Sequence, residues 1–178
     1  MELRLLAADE WQQLREVRLL ALKDSPTAFL ADYDREEALE EQDWRLRFVG
    51  SQWFTAWKDN RIIGLARVLT VDDRPADERH IESVWVDPEY RQMGVLRNLL
   101  RYVVEQAPAV NDWMLWVLDD NDQALEVYKR LGFSEIDDRQ ALTDGSGRDE
   151  IHLRYRSRRR SRTASTLLAR TGRVLRIR

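Results

Sequence analysis

The chain has 178 residues, enough for one domain with its own core, and 43% of them are hydrophobic. No apolar run approaches the ~18 residues that a membrane span needs, and Met1-Glu2-Leu3-Arg4 does not open a basic-then-apolar leader, so a cytoplasmic location is expected. Cysteine is absent, which excludes disulfides, thiolate nucleophiles and zinc–thiolate centres, and the net charge of −3 is unevenly spread: residues 151–178 hold ten arginines and no acid, leaving a balance of −13 in the rest.

Leu3 to Leu6 suits a short first strand. Asp9 and Gln12 have the spacing of a capping box before a helix with Leu14, Val17, Leu20 and Ala21 on its apolar face, and Asp24-Ser25-Pro26 ends it. A second, mostly polar helix is predicted from Asp34 to Phe48. Aromatic density marks a strand over Gln52 to Lys58, a turn at Lys58-Asp59-Asn60-Arg61 and a partner strand over Ile62 to Val71.

After an acidic loop, His80 to Val86 reads as a strand ended by Pro88. Gly94 to Gln106 has the clearest helical period, through Val95, Leu96, Leu99, Leu100, Val103 and Val104. Trp113 to Leu118 has strand length and Asn121 to Leu131 helical spacing, with Gly132 as its stop. Strands over Phe133 to Leu142 and Asp149 to Tyr155 flank a turn containing Asp144-Gly145-Ser146-Gly147. The order of elements predicts an α+β domain over residues 1–155 with a mixed, mainly antiparallel central sheet and flanking helices.

Two segments could carry chemistry. In Val84-Trp85-Val86-Asp87-Pro88-Glu89-Tyr90-Arg91-Gln92-Met93-Gly94-Val95 a strand turns into a helix. Free amides at such a start can hold a phosphate, with Arg91 and Arg97 adding charge, or the segment is an ordinary loop. It is neither a Walker loop nor a dinucleotide glycine fingerprint. In the acidic segment from Leu118 to Phe133, a calcium-loop reading fails, because Ala124 and Arg130 stand where glycine and glutamate are needed. No metal site is expected.

Together these segments resemble the GNAT superfamily of acyl-CoA-dependent N-acyltransferases. The family's pyrophosphate loop, Arg/Gln-x-x-Gly-x-Gly/Ala after Val-x-Pro, is matched by Val86-Asp87-Pro88 and Arg91-Gln92-Met93-Gly94-Val95-Leu96. Its second signature is met by Asn121, Ala124, Tyr128, Gly132 and Phe133, and its first-helix segment resembles Arg18 to Leu22, Pro26 and Ala28-Phe29. The sixth loop position departs from the pattern: Leu96 either narrows the cofactor slot or points into the core with Leu99, Leu100 and Val103.

The resemblance implies an acetyl group passed from acetyl-CoA directly to a primary amine, on a small molecule, a peptide or a protein. It places the thioester between two splayed strands containing Val84 to Val86, with Trp85 between them, and Trp116 to Leu118. The backbone of Val84 and Val86 would hold the pantetheine arm, the amides from Gln92 to Arg97 the pyrophosphate, and Asn121 the pantetheine or a water. Tyr128 takes the general-acid position; a phenol suits a thiolate leaving group, and a core tyrosine is the plain alternative. For the base, alternation puts His80, Glu82, Val84 and Val86 on one strand face. Histidine titrates near neutrality and Glu82 could act through a water, or the two form a strand-edge pair bridging to Arg79 or Arg67. Relatives that acetylate ribosomal proteins often carry glutamate at the position of Trp116. A catalytically silent acyl-CoA-binding module is the rival reading.

Residues 156–178 form an arginine-rich tail containing Arg158-Arg159-Arg160. They read as a flexible extension or a short basic helix, as a contact to an anionic partner such as RNA or a membrane surface, or as a strap over the acidic body. A homodimer is compatible with the sequence.

Overall fold

The computed structural model describes residues 1–143 and 146–157. The Asp144-Gly145 part of the last turn and the arginine-rich stretch from residue 158 onward lie outside the described residues. The described strands are β1 Glu2–Leu5, β2 Ser51–Lys58, β3 Arg61–Leu69, β4 Glu78–Val86, β5 Asp112–Leu118, β6 Ser134–Ala141 and β7 Asp149–Arg156. The helices are α1 Trp11–Asp24, α2 Tyr33–Glu37, α3 Glu41–Leu46, α4 Val95–Gln106 and α5 Asp122–Arg130.

Asp59 and Asn60 both take positive φ, 50° and 61°, the two-residue geometry that lets twisted antiparallel strands meet. That turn joins β2 to β3 and anchors a single sheet of order β1-β2-β3-β4-β5-β7-β6. Every neighbour pairs antiparallel except β4 with β5, which run parallel. The architecture is the expected α+β one. The folded body continues past Tyr155, because Arg156 still pairs with Asp112 and the Ser157 amide donates to Asn111 O at 2.8 Å.

Two cores lie on opposite faces of the sheet. On one, Leu99, Leu100 and Val103 of α4 and Leu125 and Tyr128 of α5 pack against Phe54, Ala66, Ile81, Leu115, Val117 and Leu153. On the other, Leu14, Val17 and Ala21 of α1 and Trp44 of α3 pack against Trp53, Ile62, Leu65 and Trp85, so the strand members here come from β2, β3 and β4. Each large apolar side chain so buried stabilises by about 1.5–3 kcal/mol, well above any helix propensity in these short elements.

The structure corrects three helix readings. The capping box is formed by Ala7, whose amide donates to the Glu10 carboxylate at 2.9 Å, and not by Asp9 and Gln12. The polar helix expected from Asp34 to Phe48 is two helices: Ala38 caps the first, and Glu40 starts the second, its amide donating to the Asp43 carboxylate at 3.2 Å. In α1, Leu20 is exposed and Arg18 is buried in its place, because Glu36 of α2 gives Arg18 a partner at that face.

Candidate active site

β4 and β5 pair only at Glu78↔Asp112, Arg79↔Trp113 and His80↔Met114. Both strands then run on, β4 to Val86 along β3 and β5 to Leu118 along β7, without pairing to each other. The result is a wedge in the middle of the sheet whose two edges carry backbone groups without a strand partner. Backbone donors and acceptors require partners, and an extended amide-bearing ligand can supply them as an added strand does.

A bulge sets what faces the wedge. Ser83 takes φ 51°, and the β3–β4 register slips between Leu65↔Trp85 and Arg67↔Glu82. One extra residue flips every side chain beyond it. His80 and Glu82 therefore share the α1 face with Trp85, whereas Val84 and Val86 turn to the α4 face, in the cores with Leu96 and Val95. The single-face grouping of His80, Glu82, Val84 and Val86 read by alternation is thus wrong, and the bulge is the reason.

The turn into α4 leaves a row of backbone amides without partners. Arg91 is extended, Gln92 takes φ 63°, and Gly94 takes φ 79° as the helix cap. The first helical backbone bond runs from the Asn98 amide to Gly94 O at 3.0 Å. Among the described residues, the amides of Gln92, Met93, Gly94, Val95, Leu96 and Arg97 have no acceptor. They stand at the positive end of a 12-residue helix. Val95 is buried, and its seat needs a glycine below: a Cβ at Gly64 would lie 3.1 Å from Val95 Cγ1. Leu96 is partly buried against the α4-side core, so it leans away from the exposed amides. Met93 and Arg97 are exposed.

The Arg91 side chain is spent elsewhere. Its Nε donates to Val86 O at 3.0 Å and its Nη2 to Asp24 Oδ2, at the end of α1. The same carboxylate accepts from Trp85 Nε1 at 2.9 Å and from Ser25 Oγ at 2.7 Å. Burial disfavours the charged carboxyl of Asp24, but the donors Ser25, Trp85 and Arg91 outweigh it and hold the group below the usual carboxylate range. Arg91 thus ties the loop to α1 rather than offering its charge to the cradle.

Tyr128 of α5 is buried in the α4-side core, edge-on to Phe133 with ring centroids 5.5 Å apart. Burial pushes its phenol well above the ordinary tyrosine value. Its hydroxyl makes no hydrogen bond to a described residue. Asn121 is the cap of α5, its Oδ1 accepting from the Ala124 amide at 3.1 Å, a role that orients the helix carrying Tyr128. Tyr128 and the pair His80 and Glu82 lie on opposite faces of the sheet, on either side of the wedge. His80 Nε2 lies 3.0 Å from Glu78 Oε1, and Glu82 is paired with Arg67 at 3.4 Å.

Two neighbours of this site were not singled out from sequence. His152 of β7 pairs with Trp116 and stacks on it, ring centroids 3.9 Å apart, and Asp138 of β6 holds its Nδ1 at 2.8 Å. The signal available was alternation: in Glu150-Ile151-His152-Leu153-Arg154, a polar residue between two apolar ones sits on the face opposite the α4-side core that holds Ile151 and Leu153. The tryptophans mostly stack on the protein's own arginines, as Arg67 over Trp53 and Arg47 over Trp44 show.

The acetyltransferase (GNAT) family profile matches residues 11–133. The N-alpha-acetyltransferase RimI of Mycobacterium tuberculosis is 31% identical over 93 residues, 52% of this chain and 58% of that protein, so a little over half of the relative's length is matched. The crystal structure of a GNAT-family acetyltransferase from Streptococcus pneumoniae superposes with a TM-score of 0.71 at 17% identity, covering 87% of this chain and 98% of that one. The PaiA N-acetyltransferase of Thermoplasma acidophilum, solved in complex with coenzyme A, has a TM-score of 0.67 at 18% identity, covering 88% and 98%. With the wedge, the bulge and the cradle of free amides already in place, the match over most of the folded body settles the family: the chain belongs to the acetyltransferase (GNAT) family.

Proposed function

We propose that the protein transfers an acetyl group from acetyl-CoA to a primary amine in a ternary complex. The observation that carries this reading is the β4–β5 wedge ending at a helix start whose amides, Gln92 to Arg97, have no acceptor among the described residues. The wedge edges suit the amide-bearing pantetheine arm, and the cradle suits the pyrophosphate. The packing of Leu96 into the core supports an open slot and counts against the silent-module reading.

In this reading the amine approaches from the α1 face and its nitrogen attacks the acyl carbon in the wedge. His80, buried where the strands part, takes the proton; Glu82 is less suited because Arg67 already pairs with it. Tyr128 protonates the departing sulfur from the α4 face. The acceptor is an amine of a small molecule or of a peptide, and the alpha-amine named for the mycobacterial relative is one candidate. The acidic body favours a cationic acceptor. An anionic partner for the arginine-rich tail stays part of the proposal, checked by whether RNA binding falls steeply with salt.

Calorimetric titration of acetyl-CoA into the full chain, with ATP as control, tests the first half. Saturable 1:1 binding with ATP silent is expected, followed by thiol release on a panel of amines. Absence of binding would sink the proposal. Gly94→Ala gives a sharper check: the residue must hold φ 79°, which costs an L-residue about 1–2 kcal/mol, and the methyl group would stand beside the cradle. Coenzyme affinity is expected to fall about tenfold, the equivalent of ~1.4 kcal/mol, with the melting temperature down by only a few degrees. A variant that binds as tightly as the parent would show that the cradle is not the phosphate site.

A further inference from the structure

His152 is fully buried, yet its ring has an atom with no partner. Nδ1 lies 2.8 Å from Asp138 Oδ2, while Nε2 is buried without a hydrogen bond. A carboxylate only accepts, so Nδ1 carries the proton and Nε2 presents a bare lone pair. A buried acceptor left unsatisfied is costly, and such atoms point to an unseen water or a working role.

Its place in the fold points to a working role reached through such a water. Trp116, the strand partner of His152, lies two residues past Met114, where β5 last pairs with β4. His152 is therefore one strand away from the wedge, on the face that carries His80 and Glu82. The His80 and His152 rings are 5.7 Å apart at centroid and tilted by 36°, close neighbours that no direct hydrogen bond joins. His80 Nε2 faces the Glu78 carboxylate at 3.0 Å, so by the same argument its Nδ1 is the accepting atom.

The charged groups acting on His152 are Asp138 from β6, His80 from β4 and Arg74 before it; Glu78 faces His80, and Glu150 and Arg154 share the strand face of His152 by alternation. Burial lowers the proton affinity of His152, Asp138 opposes that, and His80 and Arg74 add to the lowering. The resting form at neutral pH is the neutral ring with Nε2 free.

We propose that His152 and Asp138 form a second base behind His80, receiving through one water the proton that the acceptor amine gives up. This rests on the acetyl-transfer reading. The amine nitrogen bonds to the acyl carbon, and the carbon–sulfur bond breaks with its electron pair on sulfur, which Tyr128 protonates. The proton lost by nitrogen passes from His80 Nδ1 across the water to His152 Nε2, and the imidazolium formed there is held by Asp138. His152 is a positioning and proton-accepting residue; it does not touch the substrate.

The chain contains only two histidines, so one His80→Gln variant assigns both in a ¹⁵N side-chain spectrum. At pH 7.5 His152 is expected to carry its proton on Nδ1, with Nε2 bare, and to titrate below the ordinary histidine value of about 6.5. A cationic ring, or a proton on Nε2, overturns the proposal. The kinetic arm uses thiol release with a free-N-terminus peptide, spermidine and lysine as acceptors. Asp138 is exposed on its outer side, so Asp138→Asn should fold; it is expected to lower kcat about tenfold, leave KM within twofold, and move the acid limb to lower pH. His152→Gln should lower kcat further. An unchanged kcat and acid limb in both variants overturns the proposal. If the protein binds acetyl-CoA but acetylates none of the three amines, the acetyl-transfer reading fails instead. The spectra then decide alone: acetyl-CoA should shift both histidine signals, and no shift overturns the pair.

Discussion

Replacing Tyr128 by phenylalanine is expected to lower kcat about a hundredfold while leaving coenzyme affinity and the fold nearly untouched. The substitution is a clean one, because the hydroxyl has no hydrogen-bond partner among the described residues and its loss strands no other group. Burial raises the proton affinity of the phenol, which at first sight makes it a poor acid. In the proposed reaction the leaving thiolate would develop in the wedge beside it, where desolvation raises its proton affinity too. The two groups stay matched. The sign of the shift gives a second readout: the neutral, donating phenol persists above the pH of about 10 at which an ordinary tyrosine ionises. The parent kcat should therefore show no fall from Tyr128 on approaching pH 10. Absorbance titration, parent minus Tyr128→Phe, should show one tyrosine ionising late. Full turnover in the phenylalanine variant at every pH would remove Tyr128 from the acid role.

Much of the frame was legible because it rests on local rules. The Asp59-Asn60 turn, the period of α4 and the helical span of α5 each depend on neighbours within a few residues, and each stands where the sequence places it. What could not be read depends on residues brought together by the fold. The bulge at Ser83 has no glycine to announce it, yet it reverses the facing of Val84 and Val86 and so separates them from His80 and Glu82. The point where β4 and β5 part is set by β3 pulling one strand and β7 the other, which no single segment reveals.

The candidate site divides along the same line. The cradle is a run of consecutive residues, and its glycine was visible. Arg91 looked like a phosphate ligand because its charge was visible and its partner Asp24, 67 residues away, was not. His152 was passed over for the matching reason: on its own it is one polar residue in a short strand. Only the pairing with Trp116 and the approach of Asp138 from β6 turn it into a group with a bare lone pair.

Glu36→Ala is expected to destabilise the protein by about 3–5 kcal/mol, a large share of the roughly 5–15 kcal/mol that holds a domain together. The Glu36 carboxylate is buried between Arg18, whose Nε and Nη2 each lie 3.1 Å from it, and Arg47 at 3.2 Å. Removing it leaves two guanidiniums without their acid, and Arg18 already has one buried nitrogen, Nη1, unpaired. Distance alone would rank another pair higher, since Arg45 and Glu41 meet at 2.7 Å. Both of those side chains are exposed, though, so Glu41→Ala should cost under about 1 kcal/mol. Burial, not length, decides the ranking. In thermal melts Glu36→Ala should lose roughly 10 °C and Glu41→Ala little. A double change, Arg18→Met with Glu36→Leu, should recover part of the loss, because it removes a buried charge along with its partner. Equal melts for the two single variants would mean that the buried network carries no special weight. The effect should also reach the site: Arg18 lies over Phe29 in the α1–α2 connection and feels Arg47, which in turn feels Arg67. Arg67 holds Glu82 on the α1 face, the face from which the proposed acceptor amine would approach. A chain in which Glu36 is lost should therefore bind acetyl-CoA through an intact α4 cradle yet lose affinity for the amine, so that the two Michaelis constants separate.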